Sequence, residues 1–250
     1  MAVVPFTVEP KSSSHRAACG VCAECEVRQM AVCAALDDDD LGALEAIMTS
    51  KKLNANESLV EEGAPKQRVF SLTSGMLRIY TLLPDGRRQI TGFLVPGDYL
   101  GLADDDVYSQ SAEAVVPSVL CAFSAREMDM LMEKFPRLKE RLHLMTRDAL
   151  RTARDNQLVL GRLAPVEKLA SFLLVLAARS EKHGGRRDLV HLLMNRIDIA
   201  DHLGLTIETV SRSFTKLKTQ GLIQLPEANI VEILSRRSLA AVAGMDPDAV

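Results

Sequence analysis

The segment Ile197–Lys218, IDIADHLGLTIETVSRSFTKLK, restricts the fold more tightly than any other part of the chain. Ala200 is small at a point where two helices must cross closely. Gly204 follows in the next turn, where a tight reversal favours positive φ. Val210 is then placed to pack beneath the first helix, and Thr206 stands where an N-cap belongs. This spacing predicts a helix-turn-helix. Its second helix should bury the stripe Ile207, Val210, Phe214 and Leu217 and present Glu208, Ser211, Arg212 and Thr215 on the opposite face. That polar face suits base edges: arginine donates twice to guanine, glutamate accepts from cytosine, and serine adapts to either role. Thr206, Lys216 and Lys218 are placed to meet phosphates and position the helix without reading sequence. Glu208 and Arg212, one turn apart, should hold each other in place. The bland alternative is an ordinary helical hairpin with a solvated ion pair, but the following LIQLPEANIVEIL reads as two strands around a Pro-Glu-Ala-Asn turn, a pair resembling a wing.

Upstream of this motif the apolar period changes twice. Between Pro136 and Pro165, the positions Leu138, Leu142, Met145, Ala149, Thr152, Asn156, Val159 and Leu163 alternate four and three apart. That is a heptad seam along about 40 Å of helix. The other faces are rich in arginine and aspartate, so a dimer helix is favoured over one packed only on its own domain. Ala149, Thr152 and Asn156 make the middle of the seam weak, which would render pairing conditional. LASFLLVLAA (Leu169–Ala178) is too short to span a bilayer and reads as a buried helix. Leu36–Ser50 begins with four aspartates and continues with Leu41, Leu44, Ile47 and Met48 at helical spacing.

From Leu53 to about Ala125, short apolar segments alternate with turns at Gly63, Gly75, Pro84–Gly86 and Pro96–Asp98. MLRIYTLL and RQITGFLV flank the Pro-Asp-Gly turn as a β-hairpin, and the even spacing implies an antiparallel roll. Such a roll could enclose a cyclic nucleotide, whose phosphate needs a cation or a cradle of backbone donors. Between Arg88 and Arg126 there is no lysine or arginine, whereas Asp98, Asp104, Asp105, Asp106 and Glu113 all carry negative charge. An anion would be repelled.

The formal net charge of −3 conceals an asymmetry. Residues 1–136 carry 12 Lys+Arg against 20 Asp+Glu, and residues 137–250 carry 18 against 13. The basic C-terminal half is compatible with nucleic acid. The start MAVVPFTVEPKSSSH lacks a basic stretch followed by an apolar one, so neither secretion nor membrane insertion is expected, and the cytoplasm is the expected location. The five histidines (His15, His143, His183, His191, His202) are scattered, with no nucleophile–base pair and no glycine-rich phosphate loop, which argues against an enzyme.

Cysteines in the cytoplasm more often bind metal or do redox chemistry than form structural disulfides. Cys19, Cys22, Cys25 and Cys33 crowd one short segment, and Cys121 lies far away in SVLCAFS, a strand of the roll. Four converging thiolates suit tetrahedral zinc or an iron–sulfur cluster, and spacing alone does not choose between them.

On these residues the chain resembles the cyclic-AMP receptor protein/FNR superfamily of bacterial transcription regulators. The order of roll, long helix and winged helix-turn-helix is similar over nearly the whole chain, and the Glu208-x-x-Ser211-Arg212 face looks like the FNR branch. The resemblance implies that these three residues read TTGAT half-sites in an inverted repeat, with a homodimer setting two recognition helices one DNA turn apart, about 34 Å. It also implies an oxygen-labile [4Fe-4S] cluster on Cys22, Cys25, Cys33 and Cys121. Cys19 is then a bystander or a substitute for Cys22. The Cys-x2-Cys-x7-Cys gap resembles the variant found in FNR-like regulators of alphaproteobacterial type. Gln110 precedes Ser111-Ala112 where members that bind cyclic AMP carry arginine, so no cyclic nucleotide is expected. The exposed turn Pro84–Arg88 would face RNA polymerase.

The expected class is therefore α+β: a cluster-binding segment (1–35), an antiparallel β-roll of double-stranded jelly-roll type (36–136), a dimerisation helix (137–164), a winged helix-turn-helix (165–240) and a tail (241–250). The expected function is an oxygen-responsive, DNA-binding regulator of anaerobic or microaerobic metabolism. A metal-independent or zinc-containing regulator of the same superfamily is the alternative.

Overall fold

The computed structural model describes Cys22 and residues 25–246. Cys19, the rest of the first 24 residues and the end of the tail lie outside the described residues. The chain divides into two compact units, 1–151 and 152–250, with the boundary inside the long helix rather than at either of its ends.

In the first unit, helix α1 (Asp38–Ala46) leads into strands β1 (Met48–Leu53), β2 (Ser58–Val60), β3 (Arg68–Leu82), β4 (Arg88–Leu94), β5 (Tyr99–Leu100) and β6 (Ser111–Ser124). All pair antiparallel in one sheet of order β1-β6-β3-β4, with β2 on β6 and β5 on β3. The anticipated hairpin is present, with Leu82 opposite Arg88. Strand β3 slips register between Leu72 and Leu77. Gly75 lies there at φ +90°, and a Cβ on it would stand 2.2 Å from Ser118 Oγ. Only glycine fits so close a backbone approach.

The sheet separates two cores, because alternate residues point to opposite faces. Phe70, Leu72, Leu77, Leu120 and Ala122 fill the interior of the roll with Leu53 and Tyr108. On the outer face Val69, Tyr99 and Phe123 meet Val32, Leu36, Leu44, Met128, Leu138 and Leu142. This second core joins the N-terminal segment, the sheet and the beginning of the long helix.

Three expectations are corrected here. The helix expected over Leu36–Ser50 stops at Ala46, and Met48 opens β1 opposite Phe123, because pairing with β6 outweighs a short amphipathic pattern. Helix α2 (Ala125–Lys134), capped by Ser124 Oγ accepting from the Glu127 N–H at 3.4 Å, precedes Pro136 and escaped the sequence reading. Helix α3 (Pro136–Arg162) has the expected extent, but Leu138 and Leu142 are buried within their own unit. The head of the seam therefore belongs to the outer core rather than to a partner. Ala149 and Thr152 are exposed, and Asn156 and Val159 are half-buried.

In the second unit, helix α4 (Pro165–Lys182) starts with proline in its first turn, where no N–H is missed. The Glu167 carboxylate reaches back to accept from the Ala164 N–H at 2.7 Å. Leu169, Leu173, Leu174 and Ala177 are buried, as the apolar run required. Then come β7 (Leu189–His191), α5 (Arg196–Leu203), α6 (Ile207–Thr219), β8 (Ile223–Glu227), β9 (Ile230–Ile233) and α7 (Arg236–Val242). The two expected wing strands are β8 and β9, although Pro226 and Glu227 lie within β8 and the turn shortens to Ala228-Asn229. Strand β7 adds a third strand in the order β7-β9-β8. Neither β7 nor α7 was read from sequence.

Candidate functional site

The thiols of Cys22, Cys25, Cys33 and Cys121 come within electrostatic reach of one another, although the last is almost a hundred residues from the others. Burial pushes the Cys22 thiol up to about 12, with Glu45, Cys121, Cys33 and Cys25 adding negative charge. Burial also raises Cys33 to about 11, where Cys25 opposes ionisation and Arg28 and Arg141 favour it. Cys121 rises to about 11 from burial and from Cys25 and Cys33. None of these four is in a disulfide. Among the described residues, no three His, Cys, Asp or Glu side chains close around one point as a lone metal ion requires. Cys19 falls outside the described residues, so its part in the group is undefined.

Backbone and charge hold the segment that carries three of the thiols. Cys22 N–H donates to Glu45 Oε1 of α1 at 2.9 Å. A turn follows: Arg28 N–H donates to the Cys25 carbonyl at 3.1 Å, and Ala31 N–H donates to the Val27 carbonyl at 2.9 Å. The Cys33 thiol faces the Arg28 carbonyl at 3.7 Å. Arg28 itself pairs with Asp38 at 2.5 Å. From α3, Arg141 donates to the Met30 carbonyl at 2.5 Å, and Arg137 pairs with Asp37 at 2.9 Å. The long helix is thus bonded to the cysteine segment near its first turns. Sequence reasoning missed Arg141; a cation on the seam side of the helix, level with the buried Leu138 and Leu142, was the available signal. Cys121 lies in β6, paired with Ser50 of β1 and Ser71 of β3.

Strand β3 carries a buried cation that lay just outside the stretch considered in the sequence. Arg78 of β3 is 6% exposed and donates to Glu113 at 2.5 Å and Asn56 at 2.9 Å. Removing either partner would strand the other charge in a low-dielectric site. Gln110 donates to Thr91 Oγ1 at 2.8 Å.

In the second unit the helix-turn-helix has the anticipated joints. Ala200 and Val210 are buried, and Gly204 is left-handed at φ +62°. Thr206 Oγ1 accepts from the Thr209 N–H at 3.2 Å, capping α6. Val210, Phe214 and Leu217 are buried as expected, but Ile207, the first residue of α6, is 41% exposed. Glu208, Ser211, Arg212, Thr215, Lys216 and Lys218 are all exposed on α6. The expected Glu208–Arg212 pair does not close among the described residues. Helix-end backbone and Thr206 hold the Glu208 carboxyl below its usual range, and Arg212 contributes least. The arginine fork is left available. Ser211 donates to the Ile207 carbonyl at 2.9 Å. Arg196, unremarked in the sequence, lies 3.4 Å from the centre of the Phe214 ring and donates to the Ala228 carbonyl at 3.4 Å. It links α5, α6 and the wing turn.

Residues 50–135 match the family of cyclic nucleotide-binding domains, and residues 167–242 match the Crp-like helix-turn-helix domain. The nitrogen fixation regulation protein FixK of Bradyrhizobium diazoefficiens is 39% identical over 84% of this chain and 88% of its own length. The transcriptional activator FnrL of Cereibacter sphaeroides is 34% identical over 91% and 93%. The solved structure of FixK2 from Bradyrhizobium japonicum superposes with a TM-score of 0.74 at 33% identity, covering 78% of this chain and 97% of that one.

Proposed function

Since the chain belongs to the Crp/FNR family of bacterial transcription regulators, and is a DNA-binding transcriptional activator of FNR/FixK type rather than an enzyme, we propose that it senses oxygen through a [4Fe-4S] cluster held by Cys22, Cys25, Cys33 and Cys121. The convergence of four thiols from two distant parts of the chain carries the reading. The donor set fits: four thiolates are the usual complement for such a cluster. Arg28 and Arg141 supply positive charge beside Cys33.

Bound there, the cluster would supply an oxygen-labile covalent tie between the N-terminal segment and β6. The chain's own residues transmit its state. With the segment pinned, Arg141 and Arg137 hold the first turns of α3 against it, and Leu138 and Leu142 pack beside Cys33 and Cys121. This fixes the helix whose remaining seam, from Met145 to Val159, is offered to a second copy. Paired copies apply two α6 faces to an inverted repeat of TTGAT type, with Glu208, Ser211 and Arg212 on base edges and Thr206, Lys216 and Lys218 along the phosphates. Loss of the tie frees the segment and loosens the pairing. A few kcal/mol of coupling shift a marginal dimer by orders of magnitude. The β3–β4 turn, with Arg87 paired to Asp85 at 2.8 Å, is the surface we assign to RNA polymerase. Cyclic nucleotides are not effectors in this reading, because Arg78 is already neutralised by Glu113 and Gln110 supplies no charge.

Anaerobic purification tests the proposal. Brown protein with iron and acid-labile sulfide is expected, and Cys→Ser at 22, 25, 33 or 121 should each remove the iron, while Cys19→Ser should retain it. Colourless protein loaded with zinc would refute the proposal in favour of the structural-metal alternative.

A further inference from the structure

The outer face of the roll carries, beside the proposed cluster, a hydroxyl with no partner among the described residues. Ser71 of β3 lies directly opposite Cys121 of β6, and on its other side opposite Tyr99 of β5. Residues directly opposite in an antiparallel pair project to the same face, with Cβ atoms about 5 Å apart. The face is the one that meets the cysteine segment: the next residues along, Val69 and Phe123, pair with each other and pack in the core that includes Val32, with Cys33 and Cys121 at its edge. Ser71 is 3% exposed, and its Oγ has no hydrogen-bond partner among the described residues.

Burying a hydroxyl without a partner costs free energy, and alanine would fill the same strand position without that cost. The other two buried serines of the roll show how such groups are normally satisfied. Ser118 Oγ donates to the Val116 carbonyl at 2.7 Å, and Ser111 Oγ accepts from the Glu62 N–H at 3.0 Å. Ser71 is the exception, and its cross-strand neighbour is the one thiol supplied by the sheet. A sulfur held in a cluster as thiolate is a far better acceptor than a thiol. Hydrogen bonds of this kind orient metal ligands and tune the group they hold.

We propose that Ser71 is a positioning residue for the cluster: its hydroxyl donates to sulfur at the Cys121 corner and slows release of that corner. This rests on the cluster reading above. It gives the internal ligand a partner from its own sheet, independent of the charged groups around Cys33.

The test is anaerobic iron release to a chelator, followed by the visible absorption of the holoprotein. Ser71→Ala should release iron faster than the wild type by about two- to tenfold, the range expected for one hydrogen bond. Ser71→Thr, which restores a hydroxyl on a β-branched residue suited to a strand, should return towards the wild-type rate. Thermal unfolding of the iron-free Ser71→Ala protein should be unchanged or raised, because an unpartnered hydroxyl has been removed. Equal release rates for wild type and Ser71→Ala would overturn the proposal, as would a destabilised iron-free Ser71→Ala protein, which would mean a structural role. A wild-type chain that carries no iron when isolated anaerobically would overturn the cluster reading and this assignment together. One that carries iron while Ser71→Ala behaves identically overturns only the assignment.

Discussion

Arg141→Met separates holding the cluster from reporting it. The substitution keeps the length and apolar stem of the side chain and removes its charged head. What is lost is a partly buried, charge-assisted hydrogen bond of 2.5 Å from α3 to the Met30 carbonyl. Bonds of this class contribute about 1.5–3 kcal/mol. At about 1.4 kcal/mol per decade, the coupling between the cysteine segment and the long helix should weaken roughly ten- to hundredfold. None of the four thiols is changed, so the anaerobic protein should keep its iron and its visible absorption. Its affinity for an inverted-repeat operator, measured by fluorescence anisotropy without air, should fall by about that factor, with a matching loss of dimer in sedimentation. Arg28→Met is the control. Arg28 ties the same segment to Asp38 and to the Leu36 carbonyl rather than to α3, so operator affinity should fall less than in Arg141→Met. An Arg141→Met protein that keeps iron, dimer and operator affinity would refute the reasoning, since among the described residues Arg141 is the residue of α3 that hydrogen-bonds to the Cys25–Cys33 turn.

Asn156→Leu should strengthen the middle of the seam, shift the monomer–dimer balance towards dimer and leave it less sensitive to air; an unchanged balance in sedimentation would count against the seam. Arg212→Ala should weaken operator binding roughly ten- to hundredfold and relax the preference at one base pair, as removal of a bidentate base contact does; a uniform loss across all sequences would instead assign Arg212 to the phosphates. Calorimetry with cyclic AMP and cyclic GMP should show no micromolar binding, and a micromolar Kd for either would contradict the reading that Glu113 neutralises Arg78 and leaves it no charge to offer a phosphate.

The parts of the fold that were legible in sequence are those where a residue type answers a local backbone demand. Gly204 is left-handed, Pro165 opens α4 and Thr206 caps α6, each as its chemistry requires. What sequence could not supply depends on pairing across distance. Strand β7 is three residues long and exists because Val190 meets Val231 of β9. Met48 left its helical pattern because β6 offered it a strand partner. Leu138 and Leu142 fit a heptad seam and an internal core equally well, and only the outer face of the sheet decides for the core. The cysteines divide in the same way. Their positions show four in one segment and one in a strand, and the resemblance selects three of the four, but the register that sets Cys121 between Ser50 and Ser71 is a property of the sheet. Glu208 and Arg212 show the limit of a helical-spacing rule, because the helix N-terminus holds the glutamate before the arginine does.

Operator binding by one preparation, before and after exposure to air, tests the central claim most directly. Protein isolated without oxygen, on a DNA duplex carrying an inverted TTGAT repeat, should bind as a dimer and lose that binding as its visible absorption bleaches. Iron-free protein that occupies the same duplex at full strength, with or without air, would contradict the account.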